Sequence, residues 1–287
     1  MSLNTHSLDL ESGSSQYASV ADTVPLSITG NLTIEAWVKM ESQPGTDDTM
    51  AIASKFDTGS DQRSFAFQYT DIGGTKYLQM SICSDGITNT TGEKAQTLTN
   101  GTYYHVAAVF TAATNTVEFF VNGASIGTDT TVASSIFNGT AAFAVGMFSV
   151  TGSPSKFFDG LIDDLRVWNT ARTSGQISAN YFLELTGSET GLVGYWKFNN
   201  AYTDATANAA TLTPSGSPVF STTVGFWGSL EPSAFALTAV LPTPDVLIRQ
   251  LPDSLSLTFF LPTPIRKGVG WDALSKHSAT WTNQTKS

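Results

Sequence analysis

The chain has 287 residues, of which 41% are hydrophobic, 11% aromatic and only 13% charged, and its formal net charge is −10. That length suits one large β domain with an appendage, or two small domains. The acidic balance excludes nucleic acid as a partner, because phosphate binding needs a basic surface. No apolar run is long enough to span a bilayer, so no membrane insertion is expected. The single cysteine, Cys83, cannot build a disulfide framework and reads as a buried thiol. Residues 1–9 have neither a basic stretch nor an apolar run, so the expectation is no signal peptide.

Frequent glycine and many short apolar runs between turn residues predict an all-β sandwich. Residues 8–20 read as strand, Gly-Ser turn and strand. In 30–39 the residues Leu32, Ile34, Ala36 and Val38 alternate with Thr33, Glu35, Trp37 and Lys39, the pattern of a central strand. Residues 42–48 are a turn region, and 51–55, 64–69 and 77–83 are short strands, the last two joined by Gly73-Gly74. Strands at 103–110 and 116–121 flank a tight connection at Thr114-Asn115, and Asn122-Gly123 signals a type I′ turn. A further strand at 141–146 precedes the stretch 157–169. Residues 174–184 are the one convincing helix, with Ser174 as N-cap, and 191–198 is a strand followed by a polar loop to Leu212.

The stretch Phe157-Phe-Asp-Gly-Leu-Ile-Asp-Asp-Leu-Arg-Val-Trp-Asn169 carries the most information. Simple alternation sets Leu161, Asp163, Leu165 and Val167 against Ile162, Asp164, Arg166 and Trp168, and neither face is clean. With the Thr-Ala-Arg that follows, its order of residue types resembles the closing strand of laminin-G-like jelly rolls, within the concanavalin A-like sandwiches. Three further segments share the resemblance: 31–39, the pair 105–110 with 117–123, and Gly191-Leu-Val-Gly-Tyr-Trp-Lys-Phe198, which in the family returns beside the N-terminus. The resemblance covers roughly residues 5–226. It implies a two-sheet jelly roll with one short helix over residues 1–226.

Many relatives hold calcium at a rim, an ion that takes carboxylate, amide and carbonyl oxygens. The matching positions are Asn199, Asp204 and Asn208, where this chain has Asn199-Asn200 in place of an acidic residue and Ala207 in place of a loop glycine. The other reading of Asp204 is a cap on its own turn. Related sandwiches include glycan hydrolases, which need two carboxylates facing across a cleft. Asp163 and Asp164 are adjacent and alternate in direction, Glu35 and Glu118 stand alone, and Asp47, Asp48, Asp57 and Asp61 lie in loops, so no catalysis is expected. His105 reads as a core histidine, Asp163 and Arg166 as a buried pair, and Trp37, Trp168 and Trp196 as core packing. Tyr69, Tyr77 and Phe148 are the candidates for sugar stacking. Sequons at Asn31, Asn89, Asn100, Asn138 and Asn283 read as chance products of a Thr-rich chain.

Beyond Gly225 the character changes. Residues 232–244 recur as 252–264, each copy alternating and ending in Pro-Thr-Pro. Phe235, Leu237 and Leu241 correspond to Leu255, Leu257 and Leu261, with Phe259 between. Two apolar strands are too few for their own core and too apolar for a disordered tail. Residues 227–287 therefore read as a β-rich assembly arm that docks on other subunits, with Trp271 and Trp281 either anchoring in a partner or packing back on the arm. The leading expectation is a non-enzymatic structural protein that displays its jelly roll on a multimeric surface, such as a phage virion, tail or fibre. The alternative is a calcium-dependent module that binds surface glycans on an extracellular or surface protein.

Overall fold

The computed structural model describes residues 4–225. The expected arm, with Phe235, Leu237, Leu241, Leu255, Leu257, Phe259, Leu261, Trp271 and Trp281, lies outside the described residues. Among the described residues no helix is long and apolar enough to cross a membrane.

Two antiparallel sheets face each other. The first runs Ala124–Asp129, Thr116–Val121, Tyr103–Thr111, Leu32–Met40, Gly160–Trp168, Ser7–Leu10 and Val219–Ser221, with Leu192–Trp196 also paired to Gly160–Trp168. The second runs Thr213–Ser215, Tyr17–Val20, Phe143–Val145, Thr49–Lys55, Phe65–Ile72, Thr75–Cys83 and Asn89–Ala95. A hairpin of Phe148–Val150 and Ser153–Ser155 stands apart. The expected jelly roll with one short helix is the observed architecture. The returning strand, however, does not lie beside the N-terminal one. Ser7–Leu10 pairs with residues 160–162 and Leu192–Trp196 with residues 165–168, so the two lie end to end along the same strand.

The core between the sheets follows the sequence alternation. Ile34, Ala36 and Val38 meet Phe65, Phe67, Tyr69, Met80 and Ile82 across the sandwich. Trp196, fully buried, stacks on Phe143 at 5.1 Å and donates from Nε1 to the Ala210 carbonyl at 2.9 Å, so its apolar rings fill the core while its one polar atom is paired. Cys83 is a buried free thiol, as expected.

Simple alternation fails in the central Gly160–Trp168 strand. Trp37 pairs with Asp163 and Glu35 with Arg166, so two residues, Asp164 and Leu165, oppose the single Ala36. This β-bulge places Asp164 at φ +50°, a left-handed conformation that aspartate tolerates better than most residues. The extra residue shifts the parity. Ile162, Leu165 and Val167 all face the core, while Asp163, Asp164, Arg166 and Trp168 share the outer face. The expectation that Asp163 and Asp164 point to opposite faces is thereby corrected, and the mixed pattern read from the sequence has its cause.

The helix spans Ser174–Asn180, and its N-cap is Thr173 rather than Ser174. Thr173 Oγ1 accepts from Gln176 N, and Gln176 Oε1 accepts from Thr173 N, which satisfies two donors at the helix start. Ile177 packs on Ala107, Val109 and Phe120, the outward apolar residues of the first sheet.

Gly160 opens the central strand at φ +134°, and a Cβ there would meet the Lys39 carbonyl oxygen at 2.1 Å. Gly160→Ala is expected to cost at least about 1–3 kcal/mol of unfolding free energy by overpacking. Chemical denaturation checks this, and an unchanged midpoint would contradict it.

Candidate functional site

The outer face of the first sheet carries a buried polar cluster. The Glu35 carboxylate accepts from Trp168 Nε1 at 2.8 Å and Arg172 Nη1 at 2.6 Å, and lies 3.8 Å from Arg166 Nη1 and 3.3 Å from His105 Nε2. Arg166 also contacts Asp164 and donates to the carbonyls of Asn180 and Leu183 at the helix end, while Arg172 reaches Gln176 O and lies over the Trp168 ring. Tyr195 donates its hydroxyl to Asp164. With His105 neutral, two guanidinium groups balance two carboxylates. Burial pushes Glu35 up, but His105, Arg166 and Arg172 outweigh it and hold the carboxyl at about 2. Burial pushes His105 down, so the imidazole stays uncharged. Burial raises Asp164 against the opposing pull of Arg166 and the Tyr195 hydroxyl.

Several sequence expectations change here. Glu35 does not stand alone. Arg166 pairs with Asp164 and Glu35, whereas Asp163 accepts from Asn4 Nδ2 at 2.7 Å, so the Asp163–Arg166 pair is corrected. Trp37 and Trp168 are buried on this outer face, not between the sheets; Trp37 donates to Tyr181 O and packs on Tyr181 and Phe182. His105 is 1% exposed, as expected, but on the same outer face. Glu35, Arg166, Arg172 and Trp37 are all buried and reach residues 172–183, so the cluster is a clasp that holds that segment to the sheet.

The expected metal residues are engaged otherwise. Asp204 Oδ1 accepts from Tyr195 N and Thr206 N, and Oδ2 from Thr206 Oγ1 and Ala210 N. Asn208 Nδ2 donates to Val193 O in the same turn. Asn199 Oδ1 instead accepts from Thr5 and His6 in the N-terminal segment. Asp204 thus caps its own loop, and Asn199, Asp204 and Asn208 do not form one oxygen cage that fits calcium. Among the described residues the carboxylates that converge are Asp9, Glu11 and Glu41, with oxygens within 4.8 Å of one another. Burial and their mutual repulsion raise Glu41, and burial, offset by Lys39, raises Asp9. Hard cations favour such oxygen donors.

The stacking candidates also separate. Tyr69 is fully buried in the core, its hydroxyl accepting from Leu98 N, which removes it from the surface. Tyr77 is half-buried, and Phe148 is half-buried against Phe56.

Open concave surface occurs at one rim of the sandwich, where residues 41–48, 73–76, 96–102 and 155–159 meet. One depression of about 360 Å³ is lined by Ser12, Ser42, Gln43, Asp48, Lys156 and Phe157, among others. A second, of about 560 Å³, is lined by Gln43, Thr75, Lys76, Thr97, Thr99 and Asn100, among others. Gln43 borders both. Its Nε2 donates to Leu98 O at 2.8 Å and contacts Asn100 Oδ1, and Asn100 donates to Glu41 O, so two loops are tied together. Lys156 pairs with Asp48 at 2.6 Å, and this hydrogen bond, aided by Thr49 N and opposed by burial, lowers the Asp48 carboxyl. Lys76 pairs with Asp71 at 2.5 Å and donates to Pro44 O. Hydroxyls, amides, a neutralised ion pair and one aromatic ring are groups that recognise polyhydroxylated ligands through hydrogen bonds and stacking. Sequence reasoning missed this rim, because each loop alone reads as a polar turn.

A family model for the concanavalin A-like lectin/glucanases superfamily matches residues 12–178. No curated protein matches the chain. Among solved structures, a Bacteroides ovatus protein named for carbohydrate binding superposes with a TM-score of 0.57 at 18% identity, covering 79% of this chain and 62% of its own. The chain thus spans less than two thirds of that protein. A heptameric pentraxin from Limulus polyphemus gives 0.53 at 16% identity, covering 76% of this chain and 94% of its own. A sialidase CBM40 module from Ruminococcus gnavus, bound to α2,3-sialyllactose, gives 0.47 at 14% identity and covers 60% and 94%. At these identities the likeness is one of fold.

Two outcomes follow from these buried groups. Glu35→Ala leaves two buried arginines without their shared carboxylate and is expected to cost about 3–5 kcal/mol; a loss under about 1 kcal/mol in denaturant titration would refute the clasp. Burial, with the Asp164 charge, pushes Asp163 up to about 8 against the Asn4 hydrogen bond. A folded value above the unfolded 3.8 contributes stability below pH 3.8 that is lost as pH rises through 8. Asp163→Asn should therefore show a smaller fall in Tm between pH 6 and pH 9 than the parent chain, and equal falls would contradict the assignment.

Proposed function

The chain belongs to the concanavalin A-like lectin/glucanases superfamily, and on that premise we propose that it is a non-catalytic module that binds glycans at a cell or particle surface. The observation that carries this reading is the polar rim, where hydroxyl, amide and aromatic side chains line open depressions on a rigid two-sheet body. A rigid scaffold with adaptable loops at one end is how many binding folds separate stability from recognition. The non-catalytic part is supported by the placement of the adjacent carboxylates. Asp163 and Asp164 are buried, the first engaged by Asn4 and the second by Arg166 and Tyr195.

A second reading, subunit assembly, is favoured by the 20-residue repeat in 232–264. In that reading residues 227–287 hold the body to other copies or to a larger particle, virion-like or otherwise. Size exclusion of the full chain separates it from the first, since a monomer at all concentrations would rule out self-assembly.

The full chain applied to a glycan array, with and without EDTA, tests the main reading. Binding to a defined set of glycans is expected. EDTA is expected to leave it in place, because the oxygens of Asp204 already serve backbone donors. Absence of binding in both arms would sink the proposal.

A further inference from the structure

The rim holds two depressions that share one side chain, and this arrangement says more about the ligand than the fold does. We propose that the two hollows flanking Gln43 are adjacent subsites for an uncharged oligosaccharide, with Gln43 as the ridge between them and Phe157 as the stacking platform of the first. The inference rests on the glycan-binding reading and narrows its ligand class.

Charge points to a neutral ligand. The lysine of each hollow is already matched by a carboxylate, Lys156 by Asp48 and Lys76 by Asp71. An anionic sugar would have to compete with those carboxylates for its cation. It would also approach Asp9, Glu11 and Glu41, whose chain neighbours Ser12 and Ser42 line the first hollow. The chain as a whole carries −10. Like charge at a binding surface selects against a partner as effectively as contacts select for one.

Hydrogen bonding points to Gln43. Its Nε2 is committed to Leu98 O and Asn100, which fixes the amide plane, while its Oε1 is buried with no hydrogen-bond partner among the described residues. The side chain so held lines both polar hollows, which makes it the contact that a ligand crossing the wall would meet on either side. Serine, threonine and asparagine on both sides continue the same chemistry. Phe157 supplies the apolar face that a pyranose ring needs, and its contact with Tyr17 at 6.2 Å braces the ring.

The test uses the full chain against immobilised neutral oligosaccharides and their sialylated or sulfated counterparts, with Phe157→Ala and Gln43→Leu as variants. The parent is expected to bind neutral members and to reject the acidic ones. Each variant should weaken binding by tenfold or more, and Gln43→Leu should weaken longer chains more than single sugars. Thermal melts confirm that the variants are folded, and Phe157→Ala serves if Gln43→Leu is not. Binding that persists undiminished in a folded variant, or a preference for acidic glycans, would overturn the two-subsite inference while leaving glycan binding intact. Absence of any binding by the parent would overturn both.

Discussion

A single buried carboxylate organises the outer face of the first sheet. Removing Glu35 from water would be prohibitive alone. It is tolerated because Arg166, Arg172 and the Trp168 indole converge on it from one continuous stretch of chain. The same guanidinium groups also reach the carbonyls of Gln176, Asn180 and Leu183. Neutralising one charge in the sheet thus doubles as capping the end of the helix that covers it. Strands, helix and loop are thereby coupled, and none of the clasp can leave without stranding a charge.

That coupling separates two tasks. The first sheet's outer face is closed by residues 169–191 and is occupied with holding itself together. One rim of the sandwich, where separate chain segments meet, keeps its polar groups near solvent and leaves hollows between them. Its Lys156–Asp48 ion pair is partly exposed, so it shapes the surface while contributing little to stability. Recognition is thus placed where side chains can change at small cost to the fold.

The limits of reading such a chain follow from the range of the interactions. Strands such as Leu32–Met40 and turns such as Asn122-Gly123 were legible because alternation and left-handed turn residues act between neighbours. The two faces of Gly160–Trp168 were not, because one bulged residue reverses parity without leaving a mark in composition. Glu35 appeared solitary because its partners sit 133 and 137 positions away. Asp204 matched a ligand position, yet a carboxylate in a turn has two possible customers, an ion or backbone amides, and only geometry separates them. The rim was invisible for a related reason: Gln43, Lys76, Asn100 and Phe157 belong to four separate stretches of chain, and proximity alone gives them meaning.

The end-to-end placement of Ser7–Leu10 and Leu192–Trp196 bears on how the molecule is made. One half of the central strand is zipped by residues 7–10, the other by residues that follow them in the chain by nearly two hundred positions. The family match stops at residue 178, but the physical unit does not. A chain cut at that point would leave Trp168 and Arg166 beside an empty lane in the sheet, so the matched residues alone do not close the fold.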